Sequence, residues 1–240
     1  RERSDVILVV ADISPAAALK TFLDENPSRI VDVGVSEQAM IGMAAGLAMT
    51  GLRPFCYTIA PFALYRPLEQ IRVDLAYQDL PVVVIGVGAG LSYSALGATH
   101  HTMEDVAIAS AIPNLSIVAP CDPAETQAAV TASFALTGPM YLRLGKSGEP
   151  TLTADAPDPF ILGRIRKIRD GAGTAIIGYG PLLGMACDAA DSLAPCPSVY
   201  SAHTLKPLDF DGIDRILSEY DHVIVLEEHV ERGGLGMQAV

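Results

Sequence analysis

The sequence predicts an α/β protein made of two parallel-sheet units in succession. Three observations carry that expectation. Short apolar runs alternate with helical stretches along the whole chain, the pattern of repeated strand–helix crossovers. One run, Val82 to Val87, is apolar without a break, as in a strand covered on both faces. The alternation breaks once, over Lys146 to Asp158, where Gly148, Pro150 and Pro157 lie without apolar periodicity. The expected division is a first domain at 1–147, a linker at 148–160 and a smaller second domain at 161–240.

Taken in order, Val6 to Ala11 reads as a strand and Pro15 to Glu25 as a helix. Ile30, Val31 and Val33 form a second short strand, and Gly34 permits a turn. Ser36 is the expected N-cap of an alanine-rich helix that opens at Glu37 and stops at Gly51. Pro54 to Ile59 is a third strand. Ala60 to Pro67 reads as a loop, because its prolines do not suit a helix interior. A helix over Leu68 to Tyr77 and the strand Val82 to Val87 follow. Gly88 to Thr102 is a long glycine-containing loop, a length that in compact domains usually has a function. Then come helix 103–111, strand 115–119, helix 123–137 and strand 140–144. After the linker the expected elements are strand 174–178, helix 182–193, strand 198–202, helix 211–220 and strand 222–227.

Bulk properties narrow the function. The 240 residues are half hydrophobic, without tryptophan, and carry a formal net charge of -12. Such a chain repels phosphate backbones and anionic lipid, so neither nucleic acid nor membrane is an expected partner. Cys56, Cys121, Cys187 and Cys196 form no CxxC pair, which suits a reduced, cytoplasmic protein. No run of 18 apolar residues and no signal peptide is visible. The chain lacks an initiator Met and stops in what reads as a helix start, Gly233 to Val240, so the second domain is expected to be incomplete.

Few patterns carry chemistry. No metal site is formed by the chain itself: there is no HExxH, no cysteine cluster and no calcium-loop spacing. Gly178-Tyr179-Gly180-Pro181-Leu182-Leu183-Gly184 departs from GxGxxG by one place and lacks the acid that would read a ribose. Its glycines suit a tight turn. Glu37 sits at a helix mouth, where acids commonly complement the dipole, so position alone does not give it a function. His100 and His101 lie in the long loop at the sheet's C-terminal edge, where ligands of parallel α/β sheets bind. A histidine there can exchange a proton with a reacting oxygen near neutral pH.

Three segments taken together resemble one family. They are Asp32-Val33-Gly34-Val35-Ser36-Glu37-Gln38 with Ala44-Ala45-Gly46, then Gly97-Ala98-Thr99-His100-His101, then Ile112-Pro113-Asn114-Leu115 with Ala119-Pro120-Cys121-Asp122. In this order they resemble the pyrimidine-binding domain of transketolase-type thiamine-diphosphate enzymes. Leu205-Lys206-Pro207-Leu208-Asp209, Glu227-Glu228-His229 and Gly233-Gly234-Leu235-Gly236 resemble that family's C-terminal domain.

The resemblance implies roles. Glu37 would hydrogen-bond N1′ of the aminopyrimidine and favour the imino tautomer that takes the C2 proton. Phe62 and Tyr65 would lie against the aminopyrimidine, and Asp12 near the cofactor. His100 would face the substrate oxygen, with His101, Arg143 and Lys146 on the substrate side. The family's Gly-Asp-Gly diphosphate motif is missing. The resemblance therefore implies that Mg²⁺ and the diphosphate are held by a separate N-terminal subunit, in a heterotetramer with interfacial active sites. Leu96 stands where transketolases carry an acid, and Gly88 where they carry a phosphate-contacting histidine. Both departures point to a donor or acceptor that is less polar than a pentose phosphate or is not phosphorylated.

The leading reading is thus a subunit of a thiamine-diphosphate transferase moving a two-carbon ketol or acyl unit between keto and aldehyde substrates. The alternatives are the beta-type subunit of a 2-oxoacid decarboxylase or dehydrogenase, an enzyme like deoxyxylulose-phosphate synthase, and a non-catalytic scaffold subunit. A stand-alone nucleotide-binding module is disfavoured by the imperfect glycine pattern.

Overall fold

The structure is a computed structural model that describes residues 3–13 and 20–239. In chain order, β1 is Val6–Val10, α1 Lys20–Glu25, β2 Ile30–Asp32, α2 Glu37–Met49 and β3 Arg53–Ile59. Then come α3 (Ala60–Leu64), α4 (Leu68–Gln70), which continues as a π-helical turn over Ile71–Ala76, and β4 (Val83–Val87). They are followed by α5 (Asp105–Ser110), β5 (Ser116–Val118), α6 (Pro123–Ser133) and β6 (Met140–Arg143). The last third holds β7 (Arg166–Arg169), β8 (Thr174–Gly178), α7 (Leu183–Asp191), β9 (Ser198–Ser201) and β10 (Thr204–Lys206). It closes with α8 (Phe210–Glu219), β11 (His222–Leu226) and α9 (Leu235–Gln238). The start of the expected first helix, Pro15 to Leu19, lies outside the described residues.

Two sheets form. The first has the order β10-β5-β6-β4-β3-β1-β2, and all its neighbours are parallel except β10 against β5. The second has the order β11-β8-β9-β7, parallel except for β7. On the first sheet α2 buries Met40, Ile41, Ala44, Ala45 and Ala48, a stripe at helical spacing, in one core with Cys56, Ile71, Leu75 and Val84. Small residues on that stripe let the helix lie close to the sheet.

Four details differ from the sequence expectation. Ala60–Leu64 is helical, because Pro61 lies in the first turn, where no backbone N–H is needed. Ser36 occupies the N-cap of α2 but its hydroxyl makes no capping bond. Strand β7, an antiparallel edge of the second sheet, went unread because its sequence RKIR has no apolar alternation. Strand β10, also unread, leaves the second sheet's neighbourhood and pairs with β5 of the first.

The crossing at β10 is reinforced by a network of buried polar contacts, some within the first unit and others, from Arg143 to Glu228 and from Glu125 to Ser201 and Arg166, reaching the second. Arg143 at the end of β6 pairs with Asp105 at 2.8 Å, and both are almost fully buried. Tyr141 donates its hydroxyl to the same carboxylate oxygen at 3.0 Å. The Arg143 guanidinium also reaches the Thr102 carbonyl at 3.3 Å and the Glu228 carbonyl at 3.4 Å. Asp122 caps α6 and accepts from the Leu152 and Thr153 amides, which fastens the linker. Glu125 accepts from the Cys121 amide and the Ser201 hydroxyl, with Arg166 at 3.5 Å.

This seam can be tested by stability measurements. Removing one partner of a buried pair strands the other charge, so Asp105→Ala is expected to cost about 3–5 kcal/mol, read as a lower denaturant midpoint. His203 is fully buried and its ring stacks on Phe160 at 4.0 Å. Burial, and secondarily Arg166, lowers its pKa from 6.5 to about 3. Only the unfolded chain therefore takes up this proton as pH falls below 6.5. Stability should decline from there towards pH 3, by up to about 1.4 kcal/mol per pH unit. His203→Phe should flatten that acid limb in a pH series of unfolding curves.

Candidate active site

Neighbouring parallel strands deliver their following segments to one edge of the first sheet. After β2 the chain turns at Gly34, which has φ +70°, and enters α2 at Glu37. Asp32 ties this turn to β1: its Oδ1 accepts from the amides of Asp12 at 3.0 Å and Gly34 at 2.9 Å. After β3 the chain enters α3, which carries Phe62 and leads to Tyr65 and Arg66. After β4 it enters the long loop with Tyr93 and His100, and after β6 it reaches Lys146.

Glu37 is the buried acid of this edge, only 5 % exposed. Its Oε1 accepts from Nη1 of Arg66 at 2.8 Å. The same guanidinium lies over the Phe62 ring, 3.8 Å from its centroid. Phe62 in turn meets the edge of the His100 ring at a centroid distance of 5.2 Å. His100 faces Tyr93 at 6.5 Å, and the Lys146 ammonium stands 5.6 Å from the Tyr93 ring. A continuous file of contacts thus joins Glu37 to Lys146. A recess of about 360 Å³ opens beside it, lined by Val35, Ser36, Glu37, Gln38 and Arg66.

The sequence-derived candidates separate into two groups. Glu37, Phe62, His100 and Lys146 fall in this file. Tyr65 instead directs its hydroxyl to Glu104, whose carboxylate is 3.1 Å away, and burial pushes its pKa up. His101 bonds the Ser94 carbonyl at 3.2 Å and so pins the loop. Asp12 is exposed at the end of β1, with φ +47°. Arg143, expected on the substrate side, is buried in the ion pair with Asp105 rather than open at a strand end, because that carboxylate lies directly beside it.

Sequence reading missed Arg66 and Tyr93. Arg66 follows α3 and its C-cap Tyr65, four residues after Phe62, so a helix start at Ala60 would have brought it about one turn from Phe62. Tyr93 is explained by Gly88. A Cβ at Gly88 would run into the Tyr93 ring, so the position where a histidine was the alternative is filled from the loop. Among the described residues no group of three or more His, Cys, Asp or Glu could hold a metal ion, and no helix is long and apolar enough to cross a membrane.

Fold and site together define a class: a parallel α/β layer that presents a buried helix-mouth carboxylate and an aromatic ring at its C-terminal edge, with a second α/β layer docked on it. Comparison with known proteins gives the family. Residues 1–150 match the transketolase pyrimidine binding domain and residues 163–240 the transketolase C-terminal domain. The B subunit of the apulose-4-phosphate transketolase of Phocaeicola vulgatus is 34% identical over 239 residues, 98% of this chain and 77% of that protein. The 6-deoxy-6-sulfo-D-fructose transketolase subunit SqwH of Clostridium sp. (strain MSTE9) is 35% identical, over 98% of this chain and 73% of its own length. A solved split gene transketolase, an inactive beta4 tetramer, superposes with a TM-score of 0.86 at 31% identity, covering 98% of this chain and 77% of that one. The chain belongs to the transketolase family. It is a transketolase-like subunit; a 1-deoxy-D-xylulose-5-phosphate synthase of Natranaerobius thermophilus, 32% identical, is matched over only 38% of its length.

The loop geometry yields a stability test. Gly97 has φ +81° and open space around it, whereas Gly88 combines φ +68° with the Tyr93 clash. Gly97→Ala should cost about 1–3 kcal/mol, because φ +81° with ψ -174° is a region that glycine alone reaches readily, and Gly88→Ala should add the Tyr93 clash to its strain, measured as paired melting curves.

Proposed function

We propose that this chain carries the aminopyrimidine half of a thiamine-diphosphate site in a split transferase. The enzyme would move a two-carbon ketol or acyl unit from a keto donor to an aldehyde or keto acceptor. The observation that supports this most is Glu37: a buried carboxylate at a helix mouth, open to a recess, beside an aromatic ring and a histidine of the same sheet edge. That donor set fits an aminopyrimidine, which needs an acid for a weakly basic ring nitrogen and a flat apolar surface to stack on.

Thiamine diphosphate, when bound, supplies a nucleophilic carbon and an electron sink. The residues of this chain do the rest. Glu37 holds a proton at the N1′ nitrogen. Phe62 offers its ring to the heterocycle, while Tyr65, bonded to Glu104, and exposed Asp12 would act from outside that file of contacts. His100, fixed by its contacts with Phe62 and Tyr93, exchanges a proton with the substrate oxygen, and His101 keeps its loop in place. Lys146, exposed at the end of the file, is the cation offered to an anionic substrate end. Two relatives are named for a phosphorylated and a sulfonated sugar, which supports that role. Arg143 positions the end of β6 from within.

The diphosphate and its Mg²⁺ belong, in this reading, to a separate polypeptide, and the assembly is a heterotetramer. Two relatives are named as B subunits, and the beta4 tetramer of the solved relative is inactive; both support a need for a partner. Residues 1–147 would form the pyrimidine-binding domain and 161–240 the C-terminal domain, joined by 148–160. The free cysteines suit the cytoplasm.

The test is calorimetric titration of thiamine diphosphate with Mg²⁺ into the chain alone, into the chain with its partner, and into the pair carrying Glu37→Gln. Only the pairs should bind. Glu37→Gln should retain binding but lose proton exchange at C2 and at least about 100-fold in turnover. Tight binding by the chain alone would show that the diphosphate site has been misplaced.

A further inference from the structure

Arg66 holds both features that the proposed site offers an aminopyrimidine. Its Nη1 donates to Glu37 Oε1 at 2.8 Å, and its flat guanidinium covers the Phe62 ring at 3.8 Å. A heterocycle that stacks on Phe62 and gives an N–H to Glu37 draws on the same carboxylate and the same ring. Arg66 already engages Oε1 and covers one face of that ring, which sets the two in competition. We infer that Arg66 competes with the cofactor's aminopyrimidine for Glu37 and Phe62, and that its withdrawal is linked to cofactor binding.

The surroundings suit such an exchange. Arg66 is the hydrogen-bond partner of Glu37 among the described residues, and it forms a wall of the recess. Its side chain is 46% exposed, against 6% for that of Glu37, so the guanidinium has solvent to move into while the carboxylate stays. The Arg66 backbone is held separately, its carbonyl accepting from Gln38 Nε2 at 3.4 Å. Rotation about side-chain bonds is therefore enough, with no rearrangement of α3. Linkage makes the effect reciprocal: whatever the Arg66 contacts contribute is subtracted from cofactor affinity.

This inference rests on the thiamine-diphosphate reading, and its test separates the two. Titrating thiamine diphosphate with Mg²⁺ into the assembled split enzyme, Arg66→Gln should bind about two- to fivefold more tightly than the unaltered protein, the worth of a half-exposed ion pair. Arg66→Lys, which keeps the charge but not the flat stack, should fall between them. In a Glu37→Gln background the gain from Arg66→Gln should shrink towards none. Melting curves establish that each variant is folded. Equal or weaker binding by folded Arg66→Gln, or a gain undiminished by Glu37→Gln, overturns the inference and leaves the cofactor reading intact. No uptake by the unaltered and Arg66→Gln enzymes alike overturns both.

Discussion

Arg143 lies at the point where the two sheets, the long loop and the last strand meet. A guanidinium this deeply buried is tolerable only if its charge and its N–H groups are matched. Asp105 supplies the charge from α5, the Thr102 carbonyl comes from the end of the loop, and the Glu228 carbonyl from beyond β11. Tyr179 brings its ring to 5.4 Å from the guanidinium carbon and its hydroxyl to Glu227 at 3.2 Å. Glu227 then caps α9 through the amides of Leu235 and Gly236. One charge thereby fixes where the loop returns to the fold and where the second sheet docks. The position of His100 depends on both.

The placement of the candidate site is a consequence of parallel pairing. β2, β1, β3, β4 and β6 lie in order across the first sheet, so their C-terminal ends open on one side. Residues distant in sequence are then separated by strand spacings of about 5 Å. Glycine enters where the chain must pass close to something. Gly90 has φ +66°, and a Cβ there would meet the Glu228 carboxylate, so glycine suits the point where the loop lies against the second unit. The Gly90–Thr102 bridge closes the loop at that point.

How much of this was legible follows from the range of each interaction. The strand–turn–helix around Glu37 is local: Gly34 and the apolar stripe of α2 lie within one short stretch, and they are readable there. Phe62 and His100 were readable through the resemblance. Arg66 was hidden by applying a rule for helix interiors to Pro61, which is in a first turn; once the segment became a loop, the four-residue spacing to Phe62 lost its meaning. Arg143 looked like a free cation because its carboxylate is 38 residues away in sequence. β10 was missed because three residues hold no period, and its partner β5 belongs to the other sheet. Pairing across distance, rather than local pattern, was the missing information for Arg143 and β10.

The charge distribution bears on what such an edge can receive. The chain carries -12 overall, which opposes approach of an anionic substrate from afar. Salt screens charges beyond about 8 Å at physiological ionic strength, so contact groups decide what is held. Along the file from Glu37 to Lys146 the contact groups are one carboxylate and two cations, each cation backed by an aromatic face. Arg66 sits on Phe62 at the Glu37 end and Lys146 beside Tyr93 at the far end. Capture of a neutral heterocycle leaves the net charge of these groups unchanged, so the hold on an anionic substrate end rests on the cation already beside Tyr93 and His100, Lys146.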